Sequence, residues 1–430
     1  MSTEKKSGAL AAIIAMIFLF AMISFVTNMA APFGNIWKEH YEWAGMVGNL
    51  MNFAAYLFMG IPAGMLITKY GYKKTALIAL ALGFIGIGVQ YISSTQDVNA
   101  TSTYAIYLLG AFICGFCVCI LNTVVNPMLN LLGGGGNKGN QLIQIGGSLN
   151  SLAATLTPIL AGAMIGTITK QTSMVAVRPL LMIALAIFAI SFIIIIFTQM
   201  AEPKVEKTDV MSGIKAALGF RHLVLGIIAI FFYVGIEVGI PYEMMFYLSD
   251  TNGVLGNVAI AGTVAGIYWF LMLIGRLSSS FISGKISTRT QLVTVSFVAI
   301  IFTIIAIFLP ETKTIALPGS EEAPLDLVIF KFTGGTIPLN CLFIVLCGLC
   351  TSIMWGGIFN LATEGLGKYT PSASGLFMTM VVGGGIMPFI QERLGKSIGY
   401  IPSYWIIVAM LAFILYFALI GSKVTKRAEE

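Results

Sequence analysis

The chain has 430 residues, 57% hydrophobic and only 10% charged, with a formal charge of +6 and a mean hydropathy of +0.92. Water-soluble domains carry about 25% charged residues, so no aqueous fold could hide this much apolar surface and lipid is the expected solvent. A bilayer admits only helices or a closed barrel, and non-alternating apolar runs of about 20 residues select helices. The basic residues are scattered through short loops with no basic face, so nucleic acid is not an expected partner.

Twelve apolar segments follow in order, over 9–32, 45–68, 74–93, 103–131, 141–166, 178–199, 220–248, 256–283, 290–309, 339–363, 372–396 and 401–421. Lys5 and Lys6 precede the first. That run is too long for a signal-peptide core and leads to no small-residue cleavage site, so it reads as the first membrane helix. The strongest polar break is 201–219, AEPKVEKTDVMSGIKAALG. It divides the chain into an N-terminal six-helix bundle (1–200), a cytoplasmic linker (201–219) and a C-terminal six-helix bundle (220–430). An N-terminus on the inside assigns sixteen Lys and Arg to the cytoplasmic side and seven to the other, which places both termini in the cytoplasm. Arg276 falls near the membrane edge, and 310–338 is the one long outer loop.

The stretch 114–151 is rich in amides for a lipid-soluble segment: Asn122, Asn126, Asn130, Gln144 and Asn150. It also has an echo. CGFC at Cys114–Cys117 returns as CGLC at Cys347–Cys350, an offset of 233 that sets Asn122 against Trp355. A second offset, 216, sets Lys69 and Lys73 against Lys285 and Arg289. Internal repeats with polar residues on a shared interface are the mark of secondary transporters.

The six cysteines all lie in apolar runs, and the two histidines, His40 and His222, lie elsewhere. Free Cys packs as a small apolar residue, so neither a disulfide nor a metal site is expected. Gly133–Gly136 with Lys138 lacks the GxxxxGK[ST] pattern and a preceding strand, so it is a tight turn rather than a phosphate loop. No nucleophile–base pair supports an intramembrane enzyme.

An ionisable group in mid-membrane is a functional candidate. Most acids fall in loops or tails, and Glu364 and Glu392 fall at helix ends. Glu237, near the middle of the seventh segment, and Glu243, beyond the break at Gly239–Pro241, remain deep. No Lys or Arg is expected in mid-membrane. Anions usually need such a partner, so the expected substrate is neutral.

Several stretches, in this order, resemble the fucose–proton symporter family of the major facilitator superfamily, which includes glucose/galactose porters. They are PAG at Pro62–Gly64, NPMLNLLG at Asn126–Gly133, LNS at Leu149–Ser151, FFYVGIEV at Phe231–Val238, GR at Gly275–Arg276, IFNLATEGLGKYT at Ile358–Thr370 and SGLFMTMVVGGGIMP at Ser374–Pro388. The loop GMLITKYGYKKT at Gly64–Thr75 resembles the superfamily's inner-loop signature without its aspartate. The resemblance implies an all-α polytopic fold of twelve transmembrane helices in two pseudo-symmetric six-helix bundles. It implies import of a neutral sugar or small saccharide across a bacterial inner membrane by alternating access.

The family pattern expects carboxylates near Thr27 or Asn28 and at Asn122; here both places are neutral, so that proton relay does not carry over. Glu237 becomes the coupling candidate, titrating or helping to hold Na⁺, with Glu243 second. No cofactor is expected beyond a co-transported H⁺ or Na⁺. Amides offer donors and acceptors to sugar hydroxyls, so Asn28, Asn122 and Asn150 are cavity candidates, followed by Asn126, Gln144 and Asn360. The aromatic candidates are Tyr233, Tyr268, Trp269 and Trp355. The family often has Gln where Gly147 stands. The expected partners are the sugar and lipid, and the chain is expected to be a monomer. Two competing readings are export of amphipathic compounds, which favours an amide-poor cavity, and a non-transporting sugar sensor, which often carries a long cytoplasmic extension.

Overall fold

The computed structural model describes residues 3–133, 136–166, 168–200, 210–250, 255–282, 286–318, 325–327, 330–332, 334–366 and 369–425. Among the described residues, twelve helices are long and apolar enough to cross a membrane: α1 (Leu10–His40), α2 (Val47–Ile67), α3 (Lys69–Ser93), α4 (Thr101–Leu129), α5 (Ile145–Ile165), α6 (Met174–Phe197), α7 (Arg221–Ser249), α8 (Val258–Ser279), α9 (Thr288–Phe308), α10 (Leu339–Thr363), α11 (Ala373–Ile398) and α12 (Tyr400–Gly421). An even number of crossings brings both chain ends to one face, the terminal face. The other is the opposite face.

The helices form two six-helix bundles. In the first, α4 packs along α2–α3, and α1 packs against α4 and α5. In the second, α7 packs against α10, α11 and α12, and α9 against α10 and α12. The bundles meet where α5 lies along α8 and where α2 meets α11.

The repeat seen in the sequence is a repeat of contacts. Gly115 of α4 abuts the Asn52 carbonyl of α2, and Gly348 of α10 abuts the Tyr268 carbonyl of α8; Asn52 and Tyr268 are 216 positions apart. Cys114 Sγ faces the Gly83 carbonyl of α3 at 4.0 Å, and Cys347 Sγ faces the Ala299 carbonyl of α9 at 3.8 Å; Gly83 and Ala299 are again 216 apart. Small residues at both places let backbones approach, which is how helices associate where lipid gives no hydrophobic drive. All six cysteines are buried.

Several elements run differently from the apolar pattern. Helix α1 continues to His40 past an irregular Met29. Helices α2 and α3 are continuous except at Gly71, whose φ of 80° makes the turn. Helix α10 breaks at Ser352–Ile353, and α11 breaks at Val381–Val382. The glycines after the second break permit close packing: a Cβ on Gly383 would strike the Phe231 carbonyl of α7, and one on Gly384 would meet Phe53 of α2 at 2.7 Å. Among the described residues, the long loop 310–338 contains four short strands, β1 (Thr314–Ala316), β2 (Leu325–Leu327), β3 (Phe330–Phe332) and β4 (Thr336–Pro338). They pair antiparallel as β1 with β4 and β2 with β3, and β3 lies against α5 and α8. Within the stretch read as a linker, Val210–Ala217 is a short helix, and 201–209 lie outside the described residues, as does Lys285 of the inner-loop motif.

Candidate functional site

Glu237 and Tyr233 share a face of α7 because they are four residues apart. The Tyr233 ring meets Trp355 of α10 edge-on, with centroids 6.1 Å apart at 62°. The Tyr233 hydroxyl is buried with no well-aligned hydrogen bond, although it lies close to the Glu237 carboxylate. Tyr268 of α8 bonds Thr351 of α10 at 3.0 Å and packs edge-on against Trp269. Three of the predicted residues, Glu237, Tyr233 and Trp355, therefore come together, with Tyr268 beside them.

Arg276 does not stay at the membrane edge. Its long side chain carries the guanidinium into the protein, where Nη2 lies 3.4 Å from Glu237 Oε1. The two side chains retain only 15% and 16% exposure. Nη1 donates to the Gly147 carbonyl and to Ser151 Oγ of α5, both at 2.8 Å. Nε donates to the Ser352 carbonyl at 3.4 Å, an acceptor at the break in α10. The expectation that no cation lies deep is thus overturned. The cation is balanced by the carboxylate beside it, so the pair carries no net charge. The signal for Arg276 was present in the Gly275–Arg276 dipeptide, but the position of its Cα hid the reach of its stem.

The amides are divided among their own bundles. Asn122 donates to the Tyr56 hydroxyl of α2 at 2.9 Å, and Asn126 to the Asn122 carbonyl at 2.9 Å. Asn150 donates to the Phe20 carbonyl of α1 at 2.9 Å. All three remain partly exposed, and the Oδ1 atoms of Asn122 and Asn150 accept nothing among the described residues. Asn28 is different: it is buried and turns back onto Ser24 of its own helix, at 2.9 and 3.2 Å. Asn360 is exposed. The side chain of Gln144 lies outside the described residues.

Glu243 is not beside Glu237. Six residues along one helix is about 9 Å of rise, toward the opposite face. There Glu243 is 2% exposed and accepts from Ser403 at 3.4 Å, so it is sealed in protein. Glu392, expected at a helix end, is fully buried. It pairs with Lys396 at 3.2 Å, and its carboxylate is covered by Gly45 of the first bundle.

This opposite-face seam is closed by cross-bundle bonds. Lys38 of α1 donates to the Tyr400 hydroxyl, which donates to Asp250 Oδ2 at 2.6 Å. The Lys38 ammonium also lies 3.7 Å from Asp250 and over the rings of Phe246 and Tyr400, at 5.2 and 4.9 Å. Arg393 donates to the Trp43 carbonyl, Tyr242 to the Thr27 carbonyl and Asn49 to the Gly384 carbonyl, at 2.7–2.8 Å.

Comparison with known proteins agrees with this architecture. Residues 9–387 match the model of the Major Facilitator Superfamily. The chain is 30% identical to a glucose/galactose transporter of Brucella abortus (strain 2308), covering 98% of this chain and 96% of that protein. It is 22% identical to the L-fucose-proton symporter of Escherichia coli (strain K12), covering 94% and 91%. A crystal structure of a fucose symporter in the outward conformation superposes with a TM-score of 0.69, at 19% identity, covering 97% of this chain and 100% of that one. A nucleoside transporter superposes at 0.64 with 14% identity. The chain belongs to the Major Facilitator Superfamily, in the family of the glucose/galactose and fucose–proton transporters, and is a multi-pass membrane transporter rather than an enzyme.

Proposed function

We propose that the chain imports a neutral sugar or small saccharide across a bacterial inner membrane, coupled to H⁺ or Na⁺ through Glu237. The observation that carries this reading is the balanced Glu237–Arg276 pair beside Tyr233 and Trp355. It puts one exchangeable charge next to aromatic faces without leaving a net charge for an anion to seek. Asn122 and Asn150 supply open amide oxygens for sugar hydroxyls from the first bundle, and these amides count against an exporter of amphipathic compounds. Asn28 and Glu243, held within protein, serve in support of the helices rather than in contact with sugar. Residues 1–200 and 220–430 would rock about the sugar, with 201–219 as the tether, in a monomer with both termini cytoplasmic. On that topology the closed Lys38 seam faces outward.

Uptake into proteoliposomes, with the H⁺ and Na⁺ gradients collapsed in turn, tests the proposal. Glu237→Gln is expected to abolish accumulation while sparing equilibrative exchange. Unchanged accumulation would refute the coupling role. A thermal-shift screen tests the substrate class: stabilisation by neutral sugars is expected, and stabilisation by a uronate alone would overturn it.

A further inference from the structure

Arg276 does more than neutralise Glu237. Its guanidinium holds four acceptors on three helices. Two of them, the Gly147 carbonyl and Ser151 Oγ, belong to α5 of the first bundle. The other two, Glu237 and the Ser352 carbonyl, belong to the second bundle. The bonds across the seam are the short ones, 2.8 Å against 3.4 Å. One residue thus joins the candidate coupling carboxylate to the contact between α5 and α8.

We propose that Arg276 is a positioning residue through which the charge on Glu237 controls that contact; this rests on the reading of Glu237 as the coupling group. With Glu237 ionised, the pair is neutral overall and stays within the seam. When H⁺ or Na⁺ neutralises Glu237, the guanidinium becomes a net charge facing only carbonyls and a hydroxyl. A charge held from water without its counter-ion is strongly disfavoured. The molecule then favours the arrangement in which α5 and α8 part and water reaches Arg276. The other titratable groups around the pair are Tyr233 on α7 and Tyr268 on α8. Helix α5 has no ionisable side chain, and α10 has only the buried thiols Cys341, Cys347 and Cys350.

The test compares wild type, Arg276→Gln, Arg276→Lys and the double variant Glu237→Gln/Arg276→Gln in proteoliposomes. Sugar exchange and gradient-driven accumulation are measured across a series of pH and Na⁺ concentration. Arg276→Gln is expected to lose roughly ten-fold in accumulation, equivalent to ~1.4 kcal/mol, and to show a flat ion profile while exchange persists. Arg276→Lys is expected to restore part of both. The double variant removes both charges, so it reports even if Arg276→Gln, left with an unpaired carboxylate, fails to fold. Wild-type accumulation and ion profile in either Gln variant would overturn the inference. So would loss of exchange together with accumulation in Arg276→Lys and the double variant, because Arg276 would then be a substrate or structural group. Failure of the wild type to move any sugar would instead sink the transport reading itself.

Discussion

The two seams between the bundles are built on different chemistry. At the opposite face, Lys38, Asp250 and Tyr400 form a chain of ion pair, hydrogen bonds and ring contacts that draws on many residues at once. Deeper in, a single guanidinium bridges the two bundles beside a carboxylate, within the packed α5–α8 contact. A seam spread over many bonds survives the loss of one of them, whereas a contact bridged by one charge can respond to one charge. Membrane carriers need both kinds: a gate that holds, and a contact that answers to the cargo.

The comparison can be broken most forcefully where the opposite-face seam has no tolerance for size. Gly262 of α8 abuts the Pro158 carbonyl of α5, and a side chain there collides with backbone. Gly262→Leu is expected to abolish uptake while circular dichroism still shows a folded helical protein; normal uptake would show that α5 and α8 need not close here. Lys38→Ala is a smaller change. Its ion pair with Asp250 is part-exposed, at 16% and 21%, and is discounted for screening. With two ring contacts the loss is about 1–2 kcal/mol, roughly ten-fold in the balance between open and closed. Maleimide labelling of Asn35→Cys, which is buried in the seam, is expected to accelerate by that factor. An unchanged rate would mean the other bonds suffice. Trp355→Ala leaves both seams intact and removes one aromatic face, worth about 1 kcal/mol. A several-fold rise in KM with little change in kcat is expected; a fall in kcat alone would move Trp355 out of the sugar's path.

Fold was far more legible in the sequence than site. Twelve apolar runs and two offsets suffice for the architecture because lipid imposes one rule on every segment. The break at Ser352–Ile353 carries no proline and left no mark, whereas the Gly383–Gly385 run beside Val381–Val382 already reads as a place for close packing or a hinge. Arg276 and Glu392 were misplaced for related reasons. Hydropathy locates a Cα along the membrane normal, but Arg276 acts about a side chain's length away, and Glu392 is buried by a residue, Gly45, that is distant in sequence. That Glu237, Tyr233 and Trp355 lie together follows from the helices they sit on, four residues apart on α7 and at the facing level of α10. Asn28 had the right depth, but its bond to Ser24 depends on a rotamer that spacing does not specify.

The closed opposite-face seam also holds polar groups that lack hydrogen bonds. Asn35 Nδ2 is buried there without a hydrogen bond, and the Glu392 carboxylate is held there with only its ion pair to Lys396. Each such group held from water costs about 1–3 kcal/mol. Parting the seam would wet them, so the closed form is the drier of the two. Osmotic stress from a polymer too large to enter should therefore bias the carrier toward closure, and the turnover rate should report the thirst of that interface.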